Sequence, residues 1–247
     1  MIGDHHLIAQ GVREALTGGL ESPGQLQGFR SRPTESLDQP ALEPEFVEAC
    51  RIALAKLVSL EDEGVIAVCS ARRREGRSSV ATALALTLAR SQAQTRVLLL
   101  DLDFGHARQA ELLAVSPAPG LAEFLEGRER RLRLVSGGPN NQLWLLPAGV
   151  HIGDRVRLFH VFKGAAMLSV LRERFQWIVV DLPPLVGHLE VSPLARAVDW
   201  RVMVGRHRRT TLADLRECSE VLGDDGPTGF LLTGDSTRIP NWIRRRL

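Results

Sequence analysis

Residues 65–79 read Val65-Ile66-Ala67-Val68-Cys69-Ser70-Ala71-Arg72-Arg73-Arg74-Glu75-Gly76-Arg77-Ser78-Ser79, an apolar run that breaks into a polar, basic loop. The loop leads directly into SVATALALTLARS, whose apolar residues recur at helical spacing. Strand, loop and helix in that order are the setting of a phosphate-binding loop of the form G-x-x-x-x-G-K-[ST]. In such a loop, backbone N–H groups and the helix N-terminus hold phosphates, a lysine reaches the outer ones, and a hydroxyl binds Mg²⁺. Here Ala71 takes the first position, Gly76 the second glycine and Ser78 the hydroxyl, while Arg77 stands where lysine belongs. The candidate phosphate contacts are Ala71, Arg72, Arg73, Arg74, Glu75, Gly76, Arg77, Ser78 and Ser79. Taken alone, the same residues also describe an exposed basic turn that caps a helix through Ser78. The sequence downstream favours the phosphate loop.

Further apolar runs follow at Val97 to Asp103 (VLLLDLD), Gln142 to Gly149 (QLWLLPAG), WIVVDLPP, Trp200 to Gly205 (WRVMVG) and GFLLTG. Between them lie the helical segments GLAEFLEG, AAMLSVLRERF and TLADLRECSEVLG. Short runs rich in β-branched residues, separated by helix-length segments, predict a mostly parallel sheet covered on both faces. The expected fold is therefore an α/β three-layer sandwich, in which ligands bind at the carboxyl ends of the strands. Asp101 and Asp103 close the second run, and Asp181 closes IVVD. Acids at the mouth of a phosphate loop supply hard oxygen ligands for a metal and a base for an attacking group. The expected catalytic residues are Asp101, Asp103 and Arg77, with Ser78, Asp101 and Asp181 around a metal.

The chain has 247 residues, of which 44% are hydrophobic and 24% charged, with a formal net charge of +2. That composition supports a sizeable core and excludes a wholly disordered chain. No apolar run reaches the ~18 residues of a membrane span, and the first residues have no signal-peptide pattern. Cys50, Cys69 and Cys218 are far apart and read as reduced packing residues of a cytoplasmic protein. No tyrosine occurs anywhere, so phosphorylation of its own tyrosines is excluded on chemical grounds. Residues 1–44 read as a short amphipathic helix (Leu7, Ile8, Val12, Leu16) followed by a mobile linker, 45–236 as the domain, and 237–247 as a basic amphipathic tail. In the tail, Ile239, Trp242, Ile243 and Leu247 beside Arg244–Arg246 suit a membrane surface or the acidic end of a membrane partner, or else an exposed basic terminus. A near-neutral chain without aromatic platforms argues against nucleic acid.

SARRREGRSSVATALALTLARS, RVLLLDLD, GLAEFLEG and FQWIVVDLPP, in that order, resemble the landmarks of the bacterial tyrosine kinases. These are the cytoplasmic P-loop partners of membrane polysaccharide co-polymerases, related to septum-site and partition ATPases. The resemblance runs from Pro44 to about Gly234. It implies a P-loop NTPase fold with Walker A, A′ and B motifs, Mg²⁺ with ATP or ADP, and a role in exopolysaccharide or capsule production at the inner face of the membrane. It also implies that Ser78 holds Mg²⁺, that Asp101 and Asp103 serve metal and catalysis, and that Asp181 is the Walker B carboxylate. The family's assembly pattern E-x-x-R-x-x-R survives only as Glu48 and Arg51, with Leu54 in the last place.

The departures cluster at the chemistry. Arg77 replaces a lysine, exchanging a compact ammonium for a planar fork. Arg73 and Arg74 stand where related loops have a Pro–Gly pair, Gly105 stands where an arginine follows D-x-D, and the C-terminal tyrosine cluster is missing. Two readings follow. In the first, Mg–ATP or ADP sets the grip of the chain on a co-polymerase. In the second, the Arg77 guanidinium fills the phosphate pocket, paired with Asp101 or Asp181, and the chain is a nucleotide-free adaptor. A partition-type membrane ATPase is a third.

Overall fold

The computed structural model describes Leu37 and residues 42–234 except 59–61, 92–94, 152, 163 and 224–225. The N-terminal helix and the basic tail expected from the sequence lie outside these residues. Seven strands form one sheet in the order β3-β4-β2-β5-β1-β6-β7, with β1 Gly64–Ser70, β2 Val97–Asp101, β3 Val135–Gly137, β4 Leu143–Leu146, β5 Trp177–Asp181, β6 Trp200–Arg206 and β7 Thr228–Thr233. All neighbours are parallel except β3, which runs antiparallel to β4 at one edge. The six expected runs are therefore strands, and β3 is an addition. Its three residues, bounded by Gly137 and Gly138, are too short to show a period in the sequence.

The central strands β1 and β5 are buried along their whole length, because helices cover both faces. Alternate residues divide between two cores. Ile66, Val68, Leu99 and Val179 face α1 (Pro44–Leu57) and α2 (Arg77–Ser91). Ala67, Leu98, Leu100 and Val180 face the opposite layer, which includes α5 (Arg155–Phe162), α6 (Gly164–Arg172) and α8 (Leu212–Leu222). The short helices α3 (Arg108–Leu112), α4 (Leu121–Leu125) and α7 (Ser192–Arg196) complete the loops. α2 is buried over most of its turns, since α1 lies across the side turned away from the sheet. Its small residues Ala81, Ala83, Ala85 and Ala89 allow that close approach.

Two local findings differ from the sequence reading. Leu37, within the stretch read as linker, is buried and bridges Gly137 on β3. Arg133, read as part of a solvated basic run, is buried and donates to the carbonyls of Ser116 and Pro119, because its neighbours Leu132 and Leu134 anchor the segment in the core.

Candidate functional site

The sheet places the acids by register. Asp101 at the end of β2 lies directly opposite Asp181 at the end of β5, and β1 beside β5 delivers the loop at Ser70. The 70–79 loop, the D-x-D end and the IVVD end therefore meet at one place, as the spacing predicts.

What fills that place is Arg77. Its side chain is 7% exposed, with Nε donating to Asp181 Oδ1 at 2.7 Å and Nη2 to Asp103 Oδ2 at 2.7 Å. Nη1 points at Ser70 Oγ, 3.4 Å away. One planar fork thus ties the first turn of α2 to the ends of β5 and β2, a geometry open to arginine and not to lysine. Burial works against the charge on Arg77, but the carboxylates of Asp181 and Asp103 outweigh it and hold the guanidinium above its ordinary pKa.

The remaining oxygens are also committed. Gln109 Nε2 on α3 donates to Asp181 Oδ2 at 2.8 Å, and Thr82 Oγ1 orients the same amide by donating to its Oε1 at 2.6 Å. Asp101 accepts backbone N–H groups from Asp103 and Gln109, at 3.0 and 3.2 Å. Its burial, and then the nearby Asp181 charge, push its pKa well above the usual carboxylate range despite those two amides. Gln109 was not a sequence candidate. A single Gln on a five-residue helix gives no signal until the fold places it between two acids.

Glu75, expected to face phosphate, instead turns inward and braces the loop. It is 1% exposed, accepts the Arg72 amide at 2.8 Å, and accepts Thr210 Oγ1 at 2.5 Å. Thr233 Oγ1 at the end of β7 donates to the Glu75 carbonyl at 2.5 Å. Arg74 adopts φ of 65°, a left-handed conformation that a side chain makes costly. Arg206 Nη1 holds its carbonyl at 2.8 Å.

Arg72 points out of the loop and pairs with Asp214, the N3 residue of a Thr211–Asp214 capping box on α8. The Arg72 hydrogen bond and those from Thr211 hold the Asp214 carboxyl at a pKa of about 2. A carboxylate whose folded pKa lies below its unfolded value adds stability above the unfolded pKa of about 4, and loses it as pH falls to about 2. The difference in urea midpoint between the native chain and Asp214→Asn is therefore expected to shrink steadily from pH 5 to pH 2. A difference that stays constant with pH would show that the charge contributes nothing.

A divalent cation does not fit this arrangement. The expected metal set was Ser78 with Asp101 and Asp181, but both Asp181 oxygens are taken and a fixed positive charge stands between Asp181 and Asp103. Among the described residues no group of three or more His, Cys, Asp or Glu is arranged to hold a metal ion. Thiol chemistry has no place here either: burial pushes Cys69 and Cys218 up to about 12 and Cys50 up to about 11.

Beside the plugged acids, the outer loop still borders an open cavity of about 600 Å³. The sequence and the fold are similar to those of known proteins. The tyrosine-protein kinase CpsD of Streptococcus agalactiae is 26% identical over 167 residues, 66% of this chain and 72% of CpsD. The kinase domain of the Escherichia coli tyrosine kinase ETK superposes with a TM-score of 0.66 at 19% identity, over 78% of this chain and 77% of that one. The VpsO kinase domain gives 0.64 at 24% identity, over 76% and 95%. The chain is similar to the bacterial tyrosine kinases in sequence and in fold. No protein-family model matches it. The α/β sandwich with a mostly parallel sheet is the fold of these tyrosine-kinase domains, as expected. Among the described residues no helix is long and apolar enough to cross a membrane.

Proposed function

We propose that this tyrosine-kinase-like chain is an adaptor in capsule or exopolysaccharide assembly, docked on a membrane co-polymerase or its cytoplasmic segment and performing no phosphoryl transfer. The observation that carries this reading is the Arg77 fork on Asp181 and Asp103, which sets a guanidinium among the acids that would otherwise steady Mg²⁺. Phosphoryl transfer depends on metal and acids being free to stabilise developing charge, and misplacement of about 1 Å already costs roughly 100-fold. The absence of any tyrosine removes the family's own phosphorylation target. The chain works at the inner face of the membrane in this reading, with 239–247 as a surface contact and self-association as a further mode.

The open cavity beside the loop favours a second reading, in which Mg–ATP or ADP expels the guanidinium and sets the grip on the partner, with Asp101, Asp103 and Arg77 catalytic. Two measurements separate them. Capture of the co-polymerase segment is expected to be equal in ATP with Mg²⁺, in ADP with Mg²⁺ and in EDTA. Arg77→Lys is expected to bring no gain in Mg–ATP affinity, since Gln109 still holds Asp181 and Glu75 still closes the loop. Capture that switches with nucleotide, or a lysine variant that acquires Mg–ATP binding, would replace the adaptor by the nucleotide-driven regulator.

A further inference from the structure

One corner of the domain is at once apolar and basic. Among the described residues β7 is the last strand of the sheet, and its outer edge is unpaired. Leu231 turns to the α1 core, whereas Phe230 and Leu232 turn to the opposite face and stay 53% and 50% exposed. The Phe230 ring lies over Gly205 of β6, since the ring and Thr210 Oγ1 both come within 3.5 Å of the point where a side chain on Gly205 would begin. Thr210 closes the turn that carries Arg206, His207, Arg208 and Arg209, and Leu212, 75% exposed, opens α8 just beyond it. A single exposed leucine is ordinary, but three large apolar side chains around one arginine turn mark an interaction surface.

The turn is fixed rather than loose. The Arg206 amide donates to Thr210 Oγ1 at 2.7 Å, the Thr210 amide returns to the Arg206 carbonyl at 2.9 Å, and the His207 amide reaches Thr233 at 2.8 Å. Arg208 adopts φ of 59°, a left-handed conformation that glycine takes freely and a side chain makes costly. Arg208 and Arg209 are exposed, and among the described residues no carboxylate pairs with Arg206, Arg208 or Arg209. The carboxylates nearest in the chain are committed or remote: Asp214 is tied to Arg72, while Glu217 and Glu220 lie more than a turn further along α8. A protein partner would answer such arginines with carboxylates in fixed places. An anionic bilayer answers with diffuse negative charge and with hydrocarbon directly beneath it, which suits arginines set around exposed Leu and Phe. The chain also continues from this corner into its basic tail. Gly234 follows β7 with its Cα against Arg206, and Ile239, Trp242, Ile243 and Leu247 beside Arg244–Arg246 come next in the sequence. We propose that the β6–α8 turn, with Leu212, Phe230 and Leu232, docks on an anionic lipid bilayer and lays the domain on the membrane by its β7 edge. The proposal deepens the membrane-face part of the adaptor reading, on which it rests, by giving the folded domain a lipid contact of its own. Lasting peripheral attachment takes two signals, and the tail by itself is one.

Vesicle flotation of the full chain tests it. Vesicles of phosphatidylcholine with about 30% phosphatidylglycerol are expected to carry the protein, and vesicles of phosphatidylcholine alone are not. Salt at about 0.5 M should release most of it. Arg208→Gln with Arg209→Gln is expected to weaken binding about tenfold, and Leu212→Ser about fivefold. All three positions are at the surface, so the urea midpoint should stay in place. The same charge removed elsewhere, Arg130→Gln with Arg131→Gln in the exposed loop after α4, is expected to change binding less than about twofold. Equal losses from the two arginine pairs would reduce the patch to net charge and overturn the proposal. Loss of all binding in Trp242→Ser, with no effect of the Arg208 and Arg209 changes, would assign the contact to the tail alone and overturn it too. A lower sedimentation mass for Leu212→Ser without vesicles would make the corner a contact between copies of the chain instead. No flotation, with the co-polymerase segment still captured in solution, overturns the patch and leaves the adaptor standing. Flotation that follows the expected pattern without capture of that segment supports the patch and sinks the adaptor.

Discussion

Arg77→Met is expected to cost about 3–5 kcal/mol of folding stability, the penalty for removing one partner from a buried ion pair. Methionine keeps most of the side-chain volume, so the loss comes from charge rather than from a cavity. Asp181 and Asp103 would be left buried within reach of Asp101 and no cation, and one or both would have to take up a proton. Urea unfolding of the two proteins at neutral pH reads the difference. Adding Asp103→Asn to the methionine variant is expected to recover part of the loss, because one of the stranded charges is then gone. The two substitutions together should therefore be well short of additive. A loss below about 1 kcal/mol for Arg77→Met would mean that the fork is a loose surface contact.

Glu75→Ala is the second large effect, with an expected cost of about 2–3 kcal/mol. The glutamate joins the Arg72 amide to Thr210, and its carbonyl takes Thr233, so one side chain and one carbonyl fix the loop to both β7 and the turn before α8. Truncation strands a backbone N–H and a hydroxyl in a part-buried setting. Amide hydrogen exchange should locate the damage, with faster exchange at Arg72–Gly76 and unchanged protection in β5. Unchanged exchange in the loop would show that Glu75 is not its brace.

Much of the architecture was legible in the sequence because buried parallel strands are written as short apolar runs. VIAVC, VLLLD and WIVVD each became a strand, and WIVVD ends on Asp181, which Arg77 holds. β3 was not legible, because a three-residue edge strand has no period to read. α3 and α7, at five residues each, were lost for the same reason. At the site, motif spacing brought Arg77, Asp103 and Asp181 together, and an arginine plug was foreseeable from the chemistry of residue 77. Of its partners, only Asp181 was. The sequence reading offered Asp101 or Asp181, whereas the fork takes Asp181 and Asp103. Asp101 sits two residues before Asp103 and spends both oxygens on the backbone amides that turn the chain after β2. Gln109 and the inward turn of Glu75 depend on packing between elements far apart in the chain, and no local pattern announces such contacts.

The position of one side chain decides most of the functional reading, and it can be observed directly. Crystals grown with ADP and Mn²⁺ give an anomalous signal wherever the metal binds. The expected map has no Mn²⁺ peak beside Ser78 and Asp181, and Arg77 remains within hydrogen-bond reach of both Asp181 and Asp103. A Mn²⁺ peak between Ser78 and Asp181, with the guanidinium swung out of the acids, would contradict the claim that arginine has taken the place of the metal.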